Sequence, residues 1–208
     1  MKIKLVILIF SFLSVAYGQK NEAGLIPFKI EKSTETQHNY FEPKFTSGLY
    51  YNHFFERFHW STELIFAENE IHDYCRNCND ATSGEGVYKE MSFATGLGLR
   101  LHGDKISGLR GDMRLMFYGA KTKYTGRFFG GLFPVYSNIN NPYYLIGGQL
   151  QYSLSYTLKS GVSFGLDAAL KYSKALSRSG GTAMTPSPIT QPTVLAVTFP
   201  SIRVGYRF

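Results

Sequence analysis

Apolar and polar side chains alternate along most of this chain. From Tyr144 to Leu158 one set of alternate positions reads Tyr144, Ile146, Gly148, Leu150, Tyr152, Leu154, Tyr156, Leu158. The intervening set, after Leu145, reads Gly147, Gln149, Gln151, Ser153, Ser155, Thr157. A period of two is what a β-strand with two unlike faces requires. Lys159-Ser160-Gly161 is a turn signal. Beyond it Val162, Phe164, Leu166, Ala168, Leu170 and Tyr172 alternate with Ser163, Gly165, Asp167, Ala169 and Lys171, so the two segments predict a hairpin with a very short connection.

The same pattern recurs. Met91, Phe93, Thr95, Leu97, Leu99 and Leu101 alternate with small residues and Arg100, and a short link, His102 to Gly108, leads to Leu109, Met113, Leu115 and Phe117. Phe45, Leu49 and Tyr51 pass through a tight turn near Glu56-Arg57 to Phe58, Trp60, Thr62, Leu64 and Phe66. Ile26, Phe28 and Ile30 predict a weaker first strand with Pro27 at its start, a tolerated place for proline. Ile202, Val204, Tyr206 and Phe208 close the chain. Leu195, Val197 and Phe199 are out of phase with that last run, and a β-bulge at Pro200 would restore the register.

Eight strands result, and their connections fall into two kinds. Those between the second and third, fourth and fifth, and sixth and seventh are short. Long connections are expected over Glu68 to Val87, Lys121 to Tyr143 and Lys174 to Val194, with an intermediate one from Lys32 to Pro43. Short turns on one side and long loops on the other are the layout of a transmembrane β-barrel, with short periplasmic turns and longer extracellular loops. The fold class expected is therefore all-β: an eight-stranded antiparallel transmembrane barrel. The polar faces, mostly Gly, Ser, Thr and Gln, suit a crowded lumen; a soluble barrel facing water would carry more Lys and Glu. Tyr144, Tyr172, Tyr206 and Phe208, near strand ends, are expected as interfacial girdle residues.

Composition agrees with this reading. The chain has 208 residues, 16% aromatic and 18% charged, with 21 Gly and 8 Pro. That excludes a disordered or coiled-coil chain. At the N-terminus a basic Met1-Lys2-Ile3-Lys4 precedes an apolar Leu5 to Ala16, and Ala16-Tyr17-Gly18 supplies small residues at a cleavage site. Residues 1–18 read as a signal peptide and 19–208 as the barrel domain. Cleavage removes Lys2 and Lys4, lowering the net charge from +7 to +5. No nucleic-acid motif is present, so no nucleic-acid partner is expected.

With these residues in hand, the chain resembles the small eight-stranded outer-membrane β-barrel proteins of OmpA/OmpX type, in a single-domain version. The terminal run Ile202-x-Val204-x-Tyr206-x-Phe208 looks like the signal by which the outer-membrane barrel assembly machinery recognises its clients. The resemblance implies residence in the outer membrane of a Gram-negative-type bacterium, among outer-membrane lipid and lipopolysaccharide, and a binding or envelope-supporting role without catalysis or cofactor.

The lumen of an eight-stranded barrel is just wide enough for its own side chains. The inward set contains Lys29, Arg100, Arg110, Arg114, Lys171, Arg203 and Arg207 against Glu31, Glu63, Asp112 and Asp167. Buried charges must pair, so a salt-bridge network that plugs the barrel is expected; the basic excess leaves a narrow anion-preferring pore as an alternative. His59-x-Ser61-x-Glu63 resembles the His-x-Ser pair of outer-membrane lipid A deacylases and offers an imidazole, a hydroxyl and a carboxylate on one face. That face is the lumen, out of reach of a lipid substrate, so no catalytic residue is assigned. Cys75-Arg76-Asn77-Cys78 reads as a local disulfide in an oxidising compartment; with His72 and Asp80 it could instead hold a metal, though none is assigned. The expected seat of function is the segment from Lys121 to Tyr143, where Tyr124, Arg127, Phe128, Phe129, Phe133 and Tyr136 are candidates to bind a glycan, lipopolysaccharide headgroups or another envelope protein. The alternative is that the strands simply continue there and the aromatics pack among themselves.

Overall fold

The computed structural model describes residues 20–34, 44–74, 83–103, 107–130, 135–176 and 193–208. Eight strands run in chain order: β1 (Asn21–Thr34), β2 (Lys44–Phe55), β3 (Phe58–Tyr74), β4 (Ser83–Gly103), β5 (Gly108–Gly130), β6 (Val135–Thr157), β7 (Val162–Ala175) and β8 (Thr193–Arg207). Each pairs antiparallel with its neighbour, and β8 returns to β1 to close the barrel. Where all eight strands run side by side, closure leaves no free edge, and the backbone pairs across every neighbouring pair of strands except at the bulges.

Both ends of the described chain meet at the end carrying the short connections, here the turn end. The Asn21 amide donates to the Phe208 carbonyl and the Phe208 amide to the Asn21 carbonyl, at 2.9 and 2.8 Å. Glu56 takes a positive φ of 39° in the two-residue turn between Phe55 and Phe58, the backbone sign that matches the twist of a tight hairpin. Gly161 does the same at φ 91° between β6 and β7.

Side-chain facing follows the alternation. Leu49, Trp60, Phe93, Leu115, Phe117, Leu150, Leu170 and Val204 are exposed on the outer wall, while Gln149, Gln151, Ser153, Ser155, Asp167, Lys171 and Arg203 are buried in the lumen. Leu195, Val197 and Phe199 are exposed together with Ile202, Val204 and Tyr206. What reconciles the two phases is a bulge: Asp167 and Ala169 of β7 pair with Ser201 and Thr198, so β8 carries one extra residue at Phe199-Pro200.

Three expectations need correction. Pro27 lies inside β1, not at its start, and a second bulge surrounds it: Leu25 pairs with Val204 but Phe28 with Ile202. A bulge accommodates the missing amide hydrogen of proline. In consequence Ile26 points into the lumen and is buried, and does not share an outer face with Phe28 and Ile30. Phe208 is buried and is not an exposed girdle residue like Tyr206, because it lies past the last strand residue, where the pleat no longer dictates facing. Finally, most of the supposed loop from Lys121 to Tyr143 is strand: β5 and β6 pair without interruption to Gly130 and Val135. β3 and β4 likewise pair out to Tyr74 and Ser83. Strands β3 to β6 thus form a four-stranded wall that continues past the ends of β2 and β7 at the loop end.

Candidate functional site

Two parts of the molecule could carry function: the polar lumen and the projecting wall. The lumen is organised around Glu22, a residue outside the sequence-derived inward set. Its carboxylate accepts from the Tyr50 hydroxyl at 3.0 Å and from Asn52 Nδ2 at 3.5 Å. Arg110 and Arg203 approach it at 3.4 and 3.9 Å. Each guanidinium has a second acid: Arg110 Nε lies 2.7 Å from Asp112, and Arg203 Nε 2.6 Å from Asp167. Aromatic faces complete the cluster. Arg110 and Arg207 both stand 4.4 Å from the Phe54 ring, and Arg203 is 4.9 Å from Tyr50, within the range in which a cation is drawn to a ring.

Small residues make room for these large ones. A Cβ at Gly205 would strike the Tyr50 hydroxyl, and one at Gly24 the Tyr50 ring. At Gly98 a Cβ would occupy the space of the His59 imidazole. Gly98 and Gly205 are therefore sockets into which lumen side chains fit.

Midway along the lumen, Gln149 donates to Gln151 at 2.7 Å and Gln151 to Glu63 at 3.0 Å. Arg114 Nη1 lies 3.7 Å from Glu63, an ion pair without a hydrogen bond. Toward the loop end, Lys171 donates to both oxygens of Glu31 at 2.6 Å and to Tyr118 at 3.3 Å. The Tyr118 hydroxyl in turn donates to Glu90 at 2.6 Å.

Of the sequence-derived lumen residues, Glu63, Arg110, Asp112, Arg114, Asp167, Lys171 and Arg203 are buried as expected, and Arg100 is half-buried. The basic excess largely disappears. Buried Lys29, Arg110, Arg114, Lys171, Arg203 and Arg207 meet buried Glu22, Glu31, Glu63, Glu90, Asp112 and Asp167. Glu22 and Glu90 were missed because one precedes the first clear alternation and the other sits at the edge of the expected loop; each lies in phase with its strand's lumen face.

His59, Ser61 and Glu63 all face the lumen, at most 2% exposed. They form no relay: Ser61 donates to Asn52 Oδ1 at 2.7 Å, Glu63 is taken by Gln151, and His59 Nε2 has no hydrogen-bond partner among the described residues.

On the projecting wall, Tyr124, Arg127, Phe128 and Phe129 belong to β5 and Tyr136 to β6. The register sets Phe129 opposite Tyr136, Tyr124 opposite Tyr88, and Arg127 opposite Glu85. Phe133, Cys75, Cys78 and the signal-peptide residues lie outside the described residues. At the chain end, Ile202, Val204 and Tyr206 face outward and Phe208 does not.

Two solved structures share this architecture. Ail, the attachment invasion locus protein of Yersinia pestis, in complex with the heparin analogue sucrose octasulfate, aligns at a TM-score of 0.51 and 14% identity, over 91% of this chain and 99% of Ail. Neisserial surface protein A aligns at 0.51 and 12% identity, over 90% and 96%. No family model matches the sequence, and no curated protein matches it. At such identities the likeness concerns fold, and the closed barrel, its apolar outer wall and its polar lumen agree with it. This chain has the fold of the small eight-stranded outer-membrane β-barrels.

Proposed function

We propose that the protein is a non-enzymatic outer-membrane barrel, exported by a cleaved signal peptide, with its turn end in the periplasm and its projecting wall outside the cell. The wall and its loops bind a ligand or an envelope partner, and the barrel is their anchor. The observation that carries this reading is the contrast between a filled lumen and the long strands above it. A membrane crossing needs about 9–11 tilted residues, which the 12 residues of β2 supply. The 23 residues of β5 and the 23 of β6 far exceed it. Lipid crossing does not account for that excess, whereas the presentation of a binding surface does.

The residues assigned to binding are Tyr124, Arg127, Phe128, Phe129, Phe133 and Tyr136. Ail is described with a sulfated heparin analogue, and Lys121, Lys123 and Arg127 give β5 a basic character suited to an anionic glycan. Sucrose octasulfate is therefore the first probe. It should bind the full chain in detergent, and Arg127→Gln with Tyr124→Ser should weaken it at least about tenfold; binding unchanged in that variant would remove the wall from the reading. In planar bilayers the paired lumen should give no conductance steps, and regular steps would favour the pore. Lipid A recovered from cells with and without the protein should have the same mass; a lost acyl chain would favour an enzyme. The folded protein should also migrate anomalously on a gel unless boiled.

A further inference from the structure

We propose that the outer wall of β4–β6 holds a phosphorylated lipid of the surrounding leaflet, its phosphate between Lys89, Lys121 and Lys123 and an acyl chain in the groove beneath Lys121. This deepens the outer-membrane reading and rests on it. The first observation is a like-charge arrangement. Lys89 and Lys123 are directly opposed across β4 and β5, and Lys121 follows two residues along, opposite Met91. All three are exposed on the outer face. Opposed like charges on a sheet are unfavourable unless something anionic joins them. Lys89 has Glu68 at 2.8 Å, but Lys121 and Lys123 have no acidic partner among the described residues.

The second observation is independent of charge. These lysines rim a groove of about 730 Å³ floored by Phe28, Phe45, Phe66 and Met91. Below Lys121 a second groove of about 340 Å³ runs between Phe93, Tyr144, Ile146 and Leu176. Its floor is Gly119, where an added Cβ would meet nothing closer than the Leu145 carbonyl at 4.0 Å. Lysines stand at the upper border of the apolar wall, and an open apolar channel begins directly under them. A free anion would use the first feature and leave the second idle; a phosphorylated lipid uses both.

Charge along the rest of the outer wall agrees. Lys32 and Lys174 are also exposed on their strands at the loop end. Glu68 is the one acid on the strands' outer face among residues whose side chains are described. A basic collar at one end of the barrel fits an anionic headgroup layer on that side, where each lysine near the surface adds to the attraction.

The test is native mass spectrometry of the full folded chain in mild detergent, offered dioleoyl phosphatidic acid or dioleoyl phosphatidylcholine. One phosphatidic acid should be retained, at least about tenfold over phosphatidylcholine. Lys89→Gln, Lys121→Gln and Lys123→Gln together should lower that retention about tenfold or more. Gly119→Phe, which fills the lower groove and leaves every lysine in place, should also lower it, whereas Lys159→Gln at the turn end should not. Equal retention of the two lipids, or full retention by the triple variant, would overturn the site. Displacement of the lipid by millimolar inorganic phosphate would also overturn it, in favour of a simple anion site. A heat-shifted gel band for each variant reports that the barrel is folded. Its absence in the unaltered protein would overturn the barrel reading and the site with it, whereas a folded barrel that ignores phosphatidic acid overturns the site alone.

Discussion

The ionic clusters at the two ends of the lumen, around Glu22 and around Lys171, are built on different principles. Around Glu22 of β1, one carboxylate is shared by two arginines, a tyrosine and an asparagine drawn from β2, β5 and β8. Each arginine has another acid, and rings cover the guanidinium faces. Around Lys171, one ammonium sits against both oxygens of Glu31, with Tyr118 and Glu90 behind it. The first cluster is a redundant net that ties the closing strands together; the second is close to a single pair. Burying an ion costs several kcal/mol that only good partners recover. Removing the hub therefore takes a partner from several groups at once, while removing one member of a pair strands one charge.

The comparison is sharpest at its hub. Glu22→Ala should destabilise the barrel by about 3–5 kcal/mol, read by urea unfolding in lipid vesicles with the exposed Trp60 as reporter. A loss under about 1 kcal/mol would mean that the net does not depend on its centre. Lys171→Met should cost about 3 kcal/mol because Glu31 is left buried and uncompensated. Adding Glu31→Leu should recover most of that loss, since an apolar pair of similar volume replaces an ion pair at little cost. The corresponding double change Glu22→Leu with Arg110→Met should not recover stability, because Asp112 loses Arg110 and Arg203 keeps only Asp167 of its two acids; recovery there would erase the distinction. Tyr50→Phe keeps the ring between Gly24 and Gly205 and removes the hydroxyl, with its bonds to Glu22 and to Ser163 Oγ, for about 1.5–3 kcal/mol. Smallest of all, Cys75→Ser with Cys78→Ser should change barrel stability by less than about 1 kcal/mol, because closing so short a ring removes little unfolded-state entropy. Thiol reagents should leave the native protein unlabelled until it is reduced, and labelling without reductant would show free thiols.

Facing was legible in the sequence wherever one side of a strand meets apolar surroundings and the other does not. Ser153, Asp167 and Lys171 were placed inward, and Leu150, Phe164 and Tyr172 outward, from periodicity together with the small polar character of one face, as the structure has them. The bulge at Pro200 was legible too, because a phase change between Phe199 and Ile202 has few other remedies. The length of β5 and β6 was not. Past Ala120 and Leu145 the residues no longer alternate cleanly between apolar and polar although the two strands stay paired, so the segment resembles a loop. The bulge around Pro27 was missed because a short first strand with proline at its start explains the same residues.

By itself the sequence determined the strand count, the facing of most side chains and the residues available to the lumen, since a period of two is imposed by the backbone and survives in any antiparallel pairing. Which lumen charge meets which was decided only by closure. Glu22 and Arg203 are far apart in the chain and come together because β1 pairs with β8, and Glu31 meets Lys171 across the barrel for the same reason. Periodicity fixes a direction for each side chain relative to its own strand. Partnership also depends on the shear and stagger with which eight strands close into a ring, and no local segment encodes those.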